Sequence, residues 1–108
     1  MGRIFHITSP DEAERLLETG RLEPPSLATE GFAHCSTAEQ VVATTQRWMA
    51  DVDDLVLVEL DVERLDADVR WPEVYPGQRF PHVHGPLTAE AVVAVHTWRP
   101  ADREVWPG

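Results

Sequence analysis

The apolar positions change period along the chain, and the changes mark its elements. Between Leu55 and Val62 they alternate: Val56, Val58, Leu60 and Val62 share one face, while Leu55, Leu57, Glu59 and Asp61 pass from apolar to polar along the other. A strand apolar on one whole face and on part of the second belongs in the middle of a sheet. Arg3–Thr8 alternates as well, with Phe5 and Ile7 opposite Ile4, His6 and Thr8, and reads as a first strand. The period then turns helical. Ser9 suits an N-cap, Pro10 the first helical position, and Glu12 completes a capping box; Ala13, Leu16 and Leu17 follow at helical spacing until Gly20 stops the run.

A second helix is expected from Ser36 to about Ala50. Ser36-Thr37-Ala38-Glu39 fits another capping box, and Val41, Val42, Thr45, Trp48 and Met49 form its apolar stripe, with Trp48 in the core. Asp51, Asp53 and Asp54 then make a solvated turn. Arg21–Glu30 contains Pro24-Pro25 and no clear period, so it reads as a loop. Residues 63–79 mix acids with Pro72, Pro76 and Gly77 and read as a long loop with one brief strand at Val69-Arg70-Trp71; such a loop in a small domain suits a lid or binding loop. Thr88–Ala91 is expected to be a helical turn, Val92–Trp98 a last strand, and Arg99–Gly108 a tail in which Trp106 docks on the body.

The resulting order is strand, helix, strand, helix, strand, loop, strand. With two helices and no crossover helix between the later strands, it predicts an α+β fold and not a doubly wound sheet. A chain of 108 residues, 43% of them hydrophobic, is long enough for one core, so a single domain is expected, with residues 1–98 as its body.

Charge narrows the partners. Nineteen acidic residues against nine basic ones, all arginine, give a formal charge of -10. Such a surface repels phosphate backbones, so nucleic acid is not an expected partner and a small ligand is. One cysteine rules out an internal disulfide, and no charged-then-apolar leader or bilayer-length apolar run is visible. A cytoplasmic protein without a membrane partner is the expectation.

The candidate chemistry lies in two histidine-bearing stretches. In Gly31-Phe32-Ala33-His34-Cys35-Ser36 an extended backbone puts Phe32 and His34 on one face and Ala33 and Cys35 on the other. A helix starting at Ser36 sets unpaired N–H groups beside His34, a place suited to a phosphate or a polar ligand edge. In Phe80-Pro81-His82-Val83-His84-Gly85-Pro86-Leu87, His82 and His84 point to the same side before the chain turns. With His6 on the first strand, these imidazoles are expected to converge on one cleft.

Ile4-Phe5-His6-Ile7-Thr8, Ser26 to Thr37, Glu39-Gln40, the Leu55–Asp61 strand and Phe80-Pro81-His82 with Gly85-Pro86-Leu87 together resemble family 952 of the bacterial domains of unknown function. The sequence departs from the family pattern at His84, where an aromatic tyrosine is usual. That family resembles a remote member of the ADP-ribosyltransferase-like fold, which implies a small split antiparallel sheet with two helices. The resemblance implies a nicotinamide-dinucleotide (NAD) cleft in which His6, His34 and His82 carry the chemistry. By it, His6 holds a ribose hydroxyl, the Ile7 backbone meets the nicotinamide amide, and His34 faces the adenosine or the diphosphate. His82 stands near the place of a catalytic glutamate. Thr8, Ser36, Arg79 and His84 are second-rank binding candidates, Arg79 as a cation able to meet a diphosphate. No glutamate occupies the matching position; Glu90 lies beyond the turn.

The implied activity is cleavage of NAD or a related nucleotide, with ADP-ribose passed to a small acceptor. Two other readings compete. One is a ligand-binding module without turnover. The other is a metal site in which His82 and His84 are joined by His34, His6 or Cys35. A cysteine nucleophile is disfavoured, because Cys35 and His34 face opposite ways on an extended segment.

Overall fold

The computed structural model describes residues 2–98. The expected tail at 99–108, with Trp106, lies outside the described residues. The elements run β1 (Arg3–Thr8), α1 (Pro10–Thr19), β2 (Arg21–Leu22), α2 (Pro25–Glu30), β3 (Ala33–His34), α3 (Val41–Trp48), β4 (Val56–Asp61), β5 (Asp68–Arg70), β6 (Glu73–Tyr75), β7 (Gln78–Arg79), β8 (His82–His84), β9 (Leu87–Thr88) and β10 (Val92–Thr97). Short 3-10 turns occupy Val62–Arg64 and Ala89–Ala91. This is an α+β fold whose strand pairs are antiparallel throughout.

Two three-stranded sheets carry the architecture, ordered β1-β4-β10 and β3-β8-β5. They meet through one pair of residues: Phe5 and Ser36 exchange both backbone hydrogen bonds at 2.8 Å. The alternation in β4 becomes a two-sided core. Val58 and Leu60 pack with Ile4, Leu16, Leu22, Val83 and Leu87 on one face, and Leu57 packs with Phe5, Val41, Leu55 and Trp98 on the other. Burying side chains of this size contributes roughly 1.5–3 kcal/mol each before the entropy of ordering is set against it. β4 is therefore the middle strand of its sheet, as its pattern predicts.

Several sequence expectations need correction. The stretch read as a loop from Arg21 to Glu30 contains β2 and α2, so the described residues hold three α-helices and not two. The proline pair does not block α2, because Pro25 sits in its first turn, where a missing N–H costs nothing. Gly31 closes that helix at φ 90°, a left-handed conformation that a side chain disfavours.

The helix expected from Ser36 begins at Val41. The Ser36 N–H already donates to Phe5, so Glu39 cannot cap it. Instead the Gln40 side chain accepts from the Thr37 N–H at 3.0 Å. The loop expected at 63–79 contains the β6–β7 hairpin, turned at Pro76-Gly77. Trp48 is not core: it is 69% exposed.

Candidate functional site

The end of β1 is an unfilled edge. Gly2 accepts from the Val62 N–H, and the β1–β4 register runs on through Ile4, His6 and Thr8, so even-numbered residues point their backbone groups at β4. Odd-numbered residues point the other way. Phe5 meets Ser36 there, but one step further on β3 has diverged, and the N–H and C=O of Ile7 have no partner among the described residues. This edge opens into a cavity of about 790 Å³, within the range of small-molecule sites.

Three of the histidines come together at that cavity. His6, His34 and His82 all line it. His6 is 7% exposed, and its Nδ1–H donates to the His34 carbonyl at 2.8 Å. A carbonyl only accepts, so that bond places the proton on Nδ1 and leaves Nε2 as a free acceptor. Burial lowers the pKa of His6, which keeps the ring neutral. His34 is exposed and donates from Nε2 to Glu30 at 3.0 Å. His82 stacks on Phe32 with ring centres 3.9 Å apart and planes 8° from parallel, and its ring lies 5.4 Å from that of His34. Burial, and then the neighbouring His34 and His84, lower its pKa.

The register explains the gathering. His34 pairs with His82 across β3 and β8, so both rings leave the same face, while Ala33 and Val83 pair beneath them in the core.

The second-rank candidates divide. Ile7, Thr8 and Ser36 line the cavity. The Ser36 hydroxyl donates to Thr44 at 3.3 Å and caps no helix, so the anion site expected at a helix start beside His34 is absent. Arg79 does not line the cavity; its guanidinium donates to the Trp71 carbonyl at 2.9 Å. His84 sits 5.5 Å from the Phe32 ring but borders a separate depression with Arg21 and Asp66. Among the described residues no three His, Cys, Asp or Glu side chains are grouped to hold a metal ion. Cys35 turns its side chain into the core, where burial pushes the thiol up to about 12.

The family described as "Protein of unknown function (DUF952)" matches residues 7–95. The chain belongs to the DUF952 family. Two solved structures of protein CC0527 from Caulobacter crescentus share its fold. The crystal structure is 31% identical with a TM-score of 0.79, covering 88% of this chain and 84% of that one. The solution NMR structure is 32% identical with a TM-score of 0.75, covering 92% and 86%. No curated protein matches. No helix among the described residues is long and apolar enough to cross a membrane.

This DUF952 cavity also has lining residues that sequence reasoning did not select. Glu12 was expected to close a capping box at Ser9. Its N–H does donate to the Ser9 hydroxyl at 3.2 Å, but its carboxylate turns to accept from Thr8 and so borders the cavity. Trp48, Tyr75 and Phe80 add aromatic walls to Phe32. Tyr75 and Phe80 meet edge to face at 5.8 Å, and the Arg47 guanidinium lies 4.2 Å over the Tyr75 ring. Only the Thr8–Glu12 spacing hinted at this, since a residue four positions into a strand-to-helix turn can reach back.

Proposed function

We propose that this cavity binds the nicotinamide-ribose end of NAD or a related nucleotide in the manner of an ADP-ribosyltransferase-like cleft, and that it cleaves the bond between the two. The reading rests on one juxtaposition: the unpaired Ile7 N–H and C=O lie one residue from the free Nε2 of His6, inside an aromatic-walled cavity. A carboxamide carries one donor face and one acceptor, the complement of that backbone edge. A neutral Nε2 accepts a ribose hydroxyl. Phe32, Trp48, Tyr75 and Phe80 offer faces for a planar ring.

Cleaving the ring–ribose bond builds positive charge on the sugar, and a nearby carboxylate stabilises it. Glu12 supplies that charge from α1, while β8 carries His82 where a glutamate is absent. His34, paired with Glu30, then lies on the side of the acceptor, a small molecule in keeping with the acidic surface. Free nicotinamide released from the dinucleotide, measured by chromatography, is the expected outcome, with amide resonances of Ile7 to Ser9 shifting on titration. Absence of both release and shifts at millimolar dinucleotide overturns the proposal. Shifts without release favour the second reading, a binding module without turnover, which the missing β8 glutamate supports.

A further inference from the structure

The depression beside His84 gathers a second set of polar groups, and no residue lines both it and the cavity. Its volume is about 340 Å³, at the small end of ligand sites. Arg21 and Thr88 enter it together. They face each other across the β2–β9 pair while their neighbours Leu22 and Leu87 pair in the core, so both side chains leave the strands on the side away from it. Asp66 and His84 come from a second pair of segments, packed tightly on one another: a Cβ on Gly85 would lie 2.7 Å from the Ala67 Cβ.

The Thr88 hydroxyl is buried and has no hydrogen-bond partner among the described residues. A buried hydroxyl left so destabilises the fold unless something outside the chain completes it. Asp66 and His84 likewise make no side-chain hydrogen bond or ion pair among the described residues. Arg21 gives one guanidinium nitrogen to Glu23 at 2.9 Å, an exposed pair that leaves other N–H donors available. A guanidinium and a hydroxyl side by side are two donors for one carboxylate. A bare anion does not suit the place, because Glu23 and Asp66 add two carboxylates beside a single arginine and the chain carries a formal charge of -10. A bare cation leaves Arg21 and Thr88 without an acceptor.

We infer that this depression binds a small zwitterion of the α-amino-acid class, its carboxylate on Arg21 and the Thr88 hydroxyl and its ammonium on Asp66. The His84 ring offers the ligand's side chain a donor or an acceptor. The site is independent of the nucleotide reading and stands or falls apart from it.

The test titrates the full chain with the common L-amino acids, one at a time to about 20 mM, read by amide resonances. At least one is expected to give saturable shifts at Arg21, Asp66, Ala67, Gly85 and Thr88, leaving Ile7 to Ser9 unmoved. Its amide, which lacks the carboxylate, and its deaminated acid are each expected to bind at least about fivefold more weakly, the scale of one charge-assisted contact. Thr88→Val, which keeps the shape, is expected to lose affinity by a similar factor without lowering the urea midpoint, since it removes a hydroxyl that has no partner. Arg21→Gln, at an exposed position, is expected to lose affinity likewise and serves should Thr88→Val not fold. Absence of shifts with every amino acid overturns the inference and leaves Thr88 to an ordered water. Shifts at Ile7 to Ser9 instead, equal binding of the two analogues, or affinity unchanged in the variants also overturn it.

Discussion

The Nδ1–H of His6 donates to the main-chain oxygen of His34 at 2.8 Å, so the two histidines are joined by the ring of one and the backbone of the other. Only the neutral ring keeps its Nε2 free, and protonating it places a charge in a buried site at a desolvation cost that the Glu12 carboxylate offsets only in part. Burial lowers the pKa of His6 from its ordinary 6.5, so the unfolded chain binds more protons in the interval between the folded value and 6.5. The stability tied to this ring is complete above that interval and is lost as pH falls through the folded value. His82 shifts in the same direction, chiefly through burial. The urea midpoint is expected to be lower at about pH 5 than at about pH 7.5, and His6→Gln to flatten the difference. A His6→Gln profile as steep as the unmodified one would refute the assignment.

On the α3 side of the β1-β4-β10 sheet, Trp98 donates its indole N–H to the Thr45 hydroxyl at 2.8 Å, and that hydroxyl donates in turn to the Val41 carbonyl at 2.7 Å. Both side chains are fully buried. Thr45→Val keeps the shape and removes the hydroxyl that accepts from the indole N–H, so it is expected to cost about 1–3 kcal/mol in chemical denaturation. Trp98→Ala, which empties the space, is expected to cost about 3–5 kcal/mol. A Thr45→Val cost near zero would mean that the indole N–H finds another acceptor.

The fold was legible wherever local chemistry and periodicity agreed. Ser9, Pro10 and Gly20 bracket α1 as read, and the Val56–Leu60 alternation marked β4 as central. The start of α3 was misread because the partner that occupies the Ser36 N–H is Phe5, thirty-one residues away, and a long-range bond leaves no local trace. Pro24-Pro25 reads as a breaker until the helix that begins on it is seen. For the site, alternation alone put Phe32 with His34 and His82 with His84, and the β3–β8 register then brought His34 and His82 to one face. Glu12, Trp48, Tyr75 and Phe80 join them only through tertiary convergence, and each has a local role, as cap, stripe or loop residue, that conceals its place at the cavity.

Cys35 lies beside His34 yet is chemically remote from it. Its side chain packs with Ile4, Leu22 and Val83, and burial pushes its thiol up to about 12. At neutral pH almost no thiolate forms, and although Cys35 borders the cavity it is only 4% exposed. Alkylation by iodoacetamide is therefore expected to proceed only through opening of the fold, its rate rising with urea in parallel with unfolding. Native-state labelling as fast as that of free cysteine would show that the thiol is reached from the cavity that Cys35 borders.

Trp48 separates binding from stability. It is 69% exposed in the last turn of α3 and borders the cavity, with no core beneath it. Its removal takes away a ring face without opening a void, so Trp48→Ala is expected to change the unfolding free energy by no more than about 0.5 kcal/mol. The same substitution is expected to weaken binding of nicotinamide riboside by about fivefold to tenfold, the scale of one aromatic face on a planar ring. A Trp48→Ala protein with unchanged stability and unchanged affinity would show that the ligand seats deeper, between Phe32 and His6, and that Trp48 borders the mouth without closing on it. A large loss of stability would instead mean that α3 depends on the indole, contrary to its exposure.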